Sequence, residues 1–377
     1  MVRLIAPYVQ KDLAKKMVFI GGPRQSGKTT LAKSLLKDTD GVYLNWDRPQ
    51  DQKRILAEDW GEEHGLIIFD EIHKYKKWKT LVKGFYDTKE SQQQFLITGS
   101  ARLDVYRKGG DSLLGRYHYW RLHPFSLFDM PEKMTRDEAF RRLLRLGGFP
   151  EPFLGNDDRE ARRWREERNS RILRDDIRDL ESVRQIGQMS LLLELLKGRV
   201  GSLISVNSLA EDLQVSPITV GKWIEIFERM YLIFIVRPYS RSLARGIKKA
   251  FKVYFYDIGD VEGDQGARFE NLVALHLLQQ VQFWQDYQGY KTQLFYIRDK
   301  EKREVDFAIV LHHKVIELIE AKWSDETPSS SLQYFADRLG GPRKVQIVAM
   351  ASKSSTKKGV LKVGPSEYFS RLREDIE

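Results

Sequence analysis

The stretch "GGPRQSGKTT", set between the apolar run "MVFI" and the segment "LAKSLL", restricts the fold of this chain more than any other part of it. From Met17 the pattern reads as a buried strand, a glycine-rich turn and an amphipathic helix, and Gly22 to Thr29 fits GxxxxGK[ST] at every fixed position. The chemistry explains the pattern. Gly22 and Gly27 let backbone N–H groups close around phosphates, Lys28 reaches the β and γ oxygens, and the Thr29 hydroxyl ligates Mg²⁺. The helix presents its positive end to the same anion. Gly22, Pro23, Arg24, Gln25, Ser26, Gly27, Lys28, Thr29 and Thr30 are therefore expected to line a nucleotide, with Lys28 acting on the transferred phosphate.

A phosphate loop needs acids. In "GLIIFDEIHK", Leu66 to Phe69 read as a strand buried on both faces, with Asp70 and Glu71 at its C-terminal end. Asp70 suits the Mg²⁺ shell, and Glu71 suits polarising the attacking water. A third strand, "QFLITGSARL", ends in Thr98 and Ser100, hydroxyls suited to sensing the γ-phosphate, although such residues are also ordinary turn formers. Arg116 follows a glycine in "SLLGRYHYWRLHPFS", where an arginine could stabilise transition-state charge within the subunit or across an interface; Arg102 and Arg121 compete for that role.

Taken in order, "GGPRQSGKTTL", "LIIFDEIHK", "ITGS", "LLGRYHYWRLHPFS" and "GGFPEP" resemble the AAA-like prokaryotic ATPases whose C-terminal part is a domain of unknown function. The resemblance runs through nearly the whole chain. It implies an α/β fold in which a parallel sheet with helices on both faces binds ATP, and it leaves the substrate open. Because such modules commonly complete their site with a neighbour's arginine, it also implies a homo-oligomer, in the form of a hexameric ring.

Composition narrows the partners. The 377 residues carry a net charge of +10 with a pI near 9.4, which favours an anionic partner such as DNA. With no cysteine, any metal must be held by oxygen or histidine, which suits magnesium. No run approaches a membrane span and the N-terminus lacks a signal-peptide pattern, so a cytoplasmic protein is expected. The charged fraction of 31% leans toward a thermophile.

Arginines crowd the segment from Asp157 to Glu194, but acids nearly match them at helical spacing, which predicts a solvated, salt-bridged connector. The next segment predicts three short helices, the third opened by Ser216 as cap and Pro217 at the first helical position. Ile218, Trp223, Phe227 and Met230 are expected to face a core, leaving Thr219, Lys222 and Glu225 toward solvent in the outline of a helix-turn-helix. From Arg229 to Lys252 come seven bases and no acid, including Arg241, Arg245, Lys248 and Lys249. Two strands around that basic turn resemble a winged helix, with the turn on DNA phosphates.

The last hundred residues read as helix, three strands, helix, strand, an order similar to that of the PD-(D/E)xK nuclease superfamily, a restriction-endonuclease-like α/β fold. The resemblance points to Asp306, Glu320 and Lys322, with Glu270 from the leading helix, while Val305 stands where the motif has proline. Asp306, Glu320 and Glu270 could hold a hard divalent cation that acidifies a bound water oriented by Lys322. An internal salt bridge to Lys322 would satisfy the same residues, as would a nuclease fold kept only for DNA or protein contact. The expected organisation is an ATPase domain over 1–150, a connector over 151–187, a winged helix over 188–258 and a nuclease-like domain over 259–377. The expected function is an ATP-driven motor remodelling DNA, branched or intermediate, in repair, recombination or replication. An ATP-regulated nuclease and a nucleotide-dependent switch that binds partners through the winged helix are the alternatives.

Overall fold

The computed structural model describes residues 3–36, 39–61, 65–99, 113–129, 134–177, 185–240, 250–324, 327–351 and 353–376. The chain divides into two compact units, Met1–Pro124 and Phe125–Glu377.

In the first unit, α1 (Ala6–Leu13) precedes β1 (Met17–Gly21), α2 (Lys28–Leu35), β2 (Gly41–Asn45), α3 (Pro49–Leu56), β3 (Leu66–Asp70), α4 (Trp78–Thr88), β4 (Gln94–Thr98) and β5 (Tyr117–Arg121). These strands form one parallel sheet in the order β2-β3-β4-β1-β5. Every residue of β1 and β3 is buried, which is what a parallel sheet covered by helices requires. One face packs Trp60, Phe69, Phe85 and Phe95 into an aromatic cluster with Trp78 and Val82. The strand order separates the phosphate-loop strand β1 from the acid strand β3 by one strand, β4, so Asp70 pairs in register with Thr98.

In the second unit, α5 (Arg136–Leu146), α6 (Pro150–Gly155), α7 (Asp158–Arg171) and α8 (Ile186–Lys197) lead into β6 (Leu203–Ile204), α9 (Val206–Leu213), α10 (Pro217–Arg229), β7 (Ile233–Pro238) and β8 (Phe251–Phe255). There follow α11 (Gln265–Phe283), β9 (Thr292–Arg298), β10 (Glu304–Leu311), β11 (Lys314–Lys322), α12 (Ser330–Arg338), β12 (Arg343–Val348), β13 (Ser355–Lys357), β14 (Val360–Val363) and α13 (Pro365–Tyr368). The strands from both stretches join in one sheet, ordered β13-β14-β12-β11-β10-β9-β7-β8-β6, because β7 pairs in parallel with β9 through Arg237–Phe295 and Pro238–Tyr296. No helix among the described residues is long and apolar enough to cross a membrane.

Two expectations change here. Helix α7 is not simply a solvated connector: Ala161, Trp164, Arg165, Arg168 and Asn169 form a buried face. Arg165 donates through Nε to Asp257 at 2.8 Å and through Nη2 to the Leu146 carbonyl, and Asn169 donates to Asp260 at 3.0 Å. Gly147 lies against the Asp257 carboxylate in the left-handed region, where a Cβ would run into it. In α10 the cap is as read, with Ser216 Oγ accepting from Thr219 N. Ile218, however, is 73% exposed, and Val220, Ile224 and Ile226 bury instead with Trp223 and Phe227. The first turn projects away from the core, which the 3.6-residue spacing alone did not fix.

Asp257 is fully buried and Arg165 is its ion-pair partner. Arg165→Ala strips that carboxylate of its cation, and a stability loss of about 3–5 kcal/mol is expected in a denaturant titration of the whole chain; a loss below about 1 kcal/mol would show that the network contributes little.

Candidate functional site

Gly22 closes the C-terminal end of β1 with a φ of 135°, and a Cβ there would run into the Leu122 carbonyl. Gln25 and Gly27 are also left-handed, at 64° and 93°, and Gly27 caps α2. Together these residues bend the chain around a hollow at a helix N-terminus, the form an anion needs. Lys28 folds over this loop and donates to the Gly22 and Pro23 carbonyls at 3.1 and 2.6 Å. Phosphate oxygens entering the loop would compete with those carbonyls for the ammonium. Pro23 and Ser26 are buried, whereas Arg24, Gln25 and Thr30 are exposed at the rim.

Asp70 is buried at the end of β3 and accepts from three hydroxyls. Thr29 and Tyr43 donate to Oδ2 at 2.8 and 2.6 Å, and Thr98 donates to Oδ1 at 2.6 Å. Tyr43 escaped the sequence reading. It stands on the edge strand β2 beside β3, its hydroxyl also accepts from Asn45 at 3.2 Å, and the Lys33 amine lies 4.3 Å from its ring centroid. Burial first, then the hydrogen bond to Asp70, pushes the phenol well above its ordinary value, so Tyr43 stays a donor. Thr29 and Asp70 form the oxygen pair that suits Mg²⁺, whose donor set is oxygen alone.

Glu71 takes φ 59°, which turns it off the line of β3, while its N–H still reaches the Thr98 carbonyl at 3.0 Å. Its carboxylate lies 3.4 Å from Lys74 Nζ and 3.5 Å from His73 Nε2, and Lys74 also pairs with Asp47. Burial raises the Glu71 carboxyl above its ordinary value, with Lys74 opposing and Asp70 adding to the rise.

Arg116 is not brought to the phosphate loop of its own chain. Strands β1 and β5 run side by side from the pair Met17–Tyr117 to the pair Gly21–Arg121, so Arg116 sits at the opposite end of the sheet from the loop. There it forms a two-pronged bond with Asp87, at 2.7 and 3.1 Å. Ser100 and Arg102 lie outside the described residues, as do Arg241, Arg245, Lys248 and Lys249. On α10, Lys222 and Glu225 are exposed, and Thr219 is half-buried with its hydroxyl 2.8 Å from Ser216 Oγ.

The C-terminal carboxylates do not assemble as expected. Glu320 is buried and accepts from the backbone and hydroxyl of Ser329. Asp306 accepts from Ala321 N at 2.9 Å. Glu270 accepts from Tyr254 at 2.7 Å and lies 3.5 Å from Lys252, the last of the seven bases that begin at Arg229. Among the described residues no group of three or more His, Asp or Glu side chains is placed to hold a metal ion. Glu270, Asp306 and Glu320 therefore form no such group, and the set does not fit the metal that the nuclease resemblance implies.

Residues 14–130 match the AAA domain family, residues 137–261 a domain of unknown function (DUF8612) and residues 265–368 another (DUF4143). The chain carries an AAA domain. An uncharacterized protein of Mycobacterium tuberculosis is 24% identical over 245 residues, covering 64% of this chain and 54% of that one. The chain thus spans about half the length of that relative. An uncharacterized protein of Methanocaldococcus jannaschii is 25% identical over 346 residues, covering 81% of this chain and 74% of its own. Among solved structures, the Pif1 helicase from Bacteroides in complex with ADP-AlF3 and ssDNA is 16% identical, covering 37% of this chain and 48% of that one, with a TM-score of 0.21. The STAND protein PH0952 from Pyrococcus horikoshii is 11% identical, covering 75% and 47%, with a TM-score of 0.22. At such TM-scores neither likeness bears on function.

Two outcomes are expected of the AAA domain. Tyr43→Phe removes one charge-assisted donor from Asp70, worth about 1.5 kcal/mol; nucleoside triphosphate turnover should fall roughly tenfold with a higher half-saturating Mg²⁺ concentration. Unchanged rate and Mg²⁺ dependence would remove Tyr43 from the site. Lys74→Met takes away the cation that holds the Glu71 carboxyl down. If Glu71 must be ionised to accept a proton, the acid limb of the turnover–pH profile should then move to higher pH, and a limb that stays put would argue against that role.

Proposed function

We propose that this chain is an oligomeric, Mg²⁺-dependent ATPase that works on DNA. The observation that carries the ATPase reading is the junction at Asp70, where hydroxyls from the loop helix, β2 and β4 converge on one carboxylate next to Glu71. In this reading the loop amides and Lys28 hold the β- and γ-phosphates, and Thr29 and Asp70 hold Mg²⁺. The metal, when bound, neutralises charge that develops on the transferred phosphate. Glu71 accepts the proton of the attacking water, and its raised proton affinity suits that task. Thr98, fixed on Asp70, keeps the end of β4 against the site.

Arg116 then serves a neighbouring copy. Its place at the far end of the sheet leaves it out of reach of its own loop. A closed ring, with six copies as the expected number, would give every loop one such arginine. The DNA reading rests on the acid-free run of bases from Arg229 to Lys249 and on the exposed Lys222 of α10, in a helix and strand order that a winged helix would have. Remodelling of branched or intermediate DNA is the role that suits such a pairing.

The test joins these parts. Wild type should hydrolyse ATP, with stimulation by linear or branched DNA whose binding weakens steeply as salt rises. Glu71→Gln should lose roughly 100-fold or more in turnover while keeping nucleotide affinity. Arg116→Ala should be comparably slow, yet mixing it with Glu71→Gln should restore activity, because some mixed interfaces pair an intact Glu71 with an intact Arg116. No recovery on mixing would sink the shared site, and a wild type whose ATP turnover ignores DNA would sink the DNA reading.

A further inference from the structure

The buried lysine on β8 gives the C-terminal carboxylates a different purpose from the one their spacing suggests. Lys252 is 3% exposed, and its ammonium lies 2.7 Å from Glu304 Oε1 and 3.5 Å from Glu270 Oε1. The field of Asp306 acts on it as well. Around this cation each carboxylate has a further partner. Tyr254, two residues along β8, donates to Glu270, Arg298 donates to Glu304 at 2.6 Å, and the Ala321 N–H donates to Asp306. Gly201 packs against the Glu270 carboxylate so closely that a Cβ there would meet it.

A hard divalent cation gathers carboxylate oxygens because it neutralises their mutual repulsion. The Lys252 ammonium does this through a direct bond to Glu304, an ion pair with Glu270 and its field at Asp306, and it is covalently held by the chain. Burial disfavours its charge, but Glu270, Asp306 and Glu304 together outweigh that and keep Lys252 protonated. A second cation at the same place would meet the ammonium's repulsion within a few ångströms.

We propose that Lys252 is the resident cation of the Glu270–Glu304–Asp306 cluster, standing where a divalent metal would otherwise bind, so that this domain neither takes up a metal there nor cleaves DNA by metal-activated water. The inference does not rest on the ATPase reading, and it separates the nuclease-like element order from nuclease chemistry. It also makes a positive claim. Without the lysine, the carboxylates become a divalent-cation site.

The experiment compares wild type, Lys252→Met and Lys252→Arg as full chains without nucleotide, by thermal melting in EDTA, Ca²⁺ or Mn²⁺ and by counting bound Mn²⁺ from its paramagnetic signal. Binding at the phosphate loop is common to all three and cancels in the comparison. Lys252→Met is expected to melt roughly 10 °C lower in EDTA, to recover much of that loss with Mn²⁺ or Ca²⁺, and to bind one more Mn²⁺ per chain than wild type. Lys252→Arg, which keeps the charge, should show neither effect. The proposal is overturned if Lys252→Met binds no additional Mn²⁺. Should that variant fail to fold, wild type against Asp306→Asn decides: equal Mn²⁺ counts support the resident lysine, and the loss of one bound Mn²⁺ in Asp306→Asn refutes it.

Discussion

The carboxylate of Asp70 is the point on which the N-terminal unit turns. Its oxygens take hydroxyl donors from three elements, α2, β2 and β4. Charge-assisted bonds of this kind are short and roughly twice as strong as neutral ones, and a buried carboxylate without them would be costly. The strand order makes them available. Because β4 lies between β1 and β3, Thr98 stands beside Asp70, and the phosphate loop is reached through Thr29 on the helix that follows it. Glu71 cannot continue the strand without following Asp70 into the sheet. Its left-handed backbone costs about 1 kcal/mol or more, and what that conformation achieves is to turn a second carboxylate away while its N–H stays bonded to β4.

The C-terminal unit buries charges against one another. Arg165 with Asp257, and Lys252 with Glu304 and Glu270, are pairs whose desolvation offsets much of their attraction. Such pairs add little net stability over an apolar core, but breaking one leaves a charge stranded. Their effect is selectivity: helix α7 has one seating in which Arg165 reaches both Asp257 and the Leu146 carbonyl, and Gly147 admits that carboxylate only because it lacks a side chain.

What the sequence made legible follows from how local each requirement is. The phosphate loop and the acid pair are read from consecutive residues, because their chemistry is performed by neighbours in the chain. The order helix, three strands, helix, strand from Gln265 to Val348 is equally legible from alternation and turn residues, whereas the short β13, β14 and α13 that follow are not. Tyr43 is not, because its role exists only once β2 is known to lie beside β3. In α7 the balance of acids and bases hid a buried face, although Trp164 and Ala161, set at helical spacing among charges, were the sign of it. Lys252 is a related case. In sequence it only closes an acid-free run of bases, yet on a strand its alternation with Tyr254 sends both side chains to Glu270.

That placement has a consequence for how the C-terminal unit can move. The helical segment ending in β7 and β8 and the segment from α11 onward read as separate modules in sequence, but β7 hydrogen-bonds to β9, and Tyr239 N continues that pairing to the Tyr296 carbonyl at 2.7 Å. Asn271 of α11 exchanges two hydrogen bonds with the Phe255 backbone of β8, at 2.7 and 2.9 Å. Lys252 and Tyr254 add an ion pair and a hydrogen bond across the same boundary. To swing one module against the other, the protein would have to open a sheet, expose the Asn271 amide and strand the Glu270 and Glu304 charges at once. Those losses would come together, which ties α8 through α13 into one packed unit along the nine-stranded sheet.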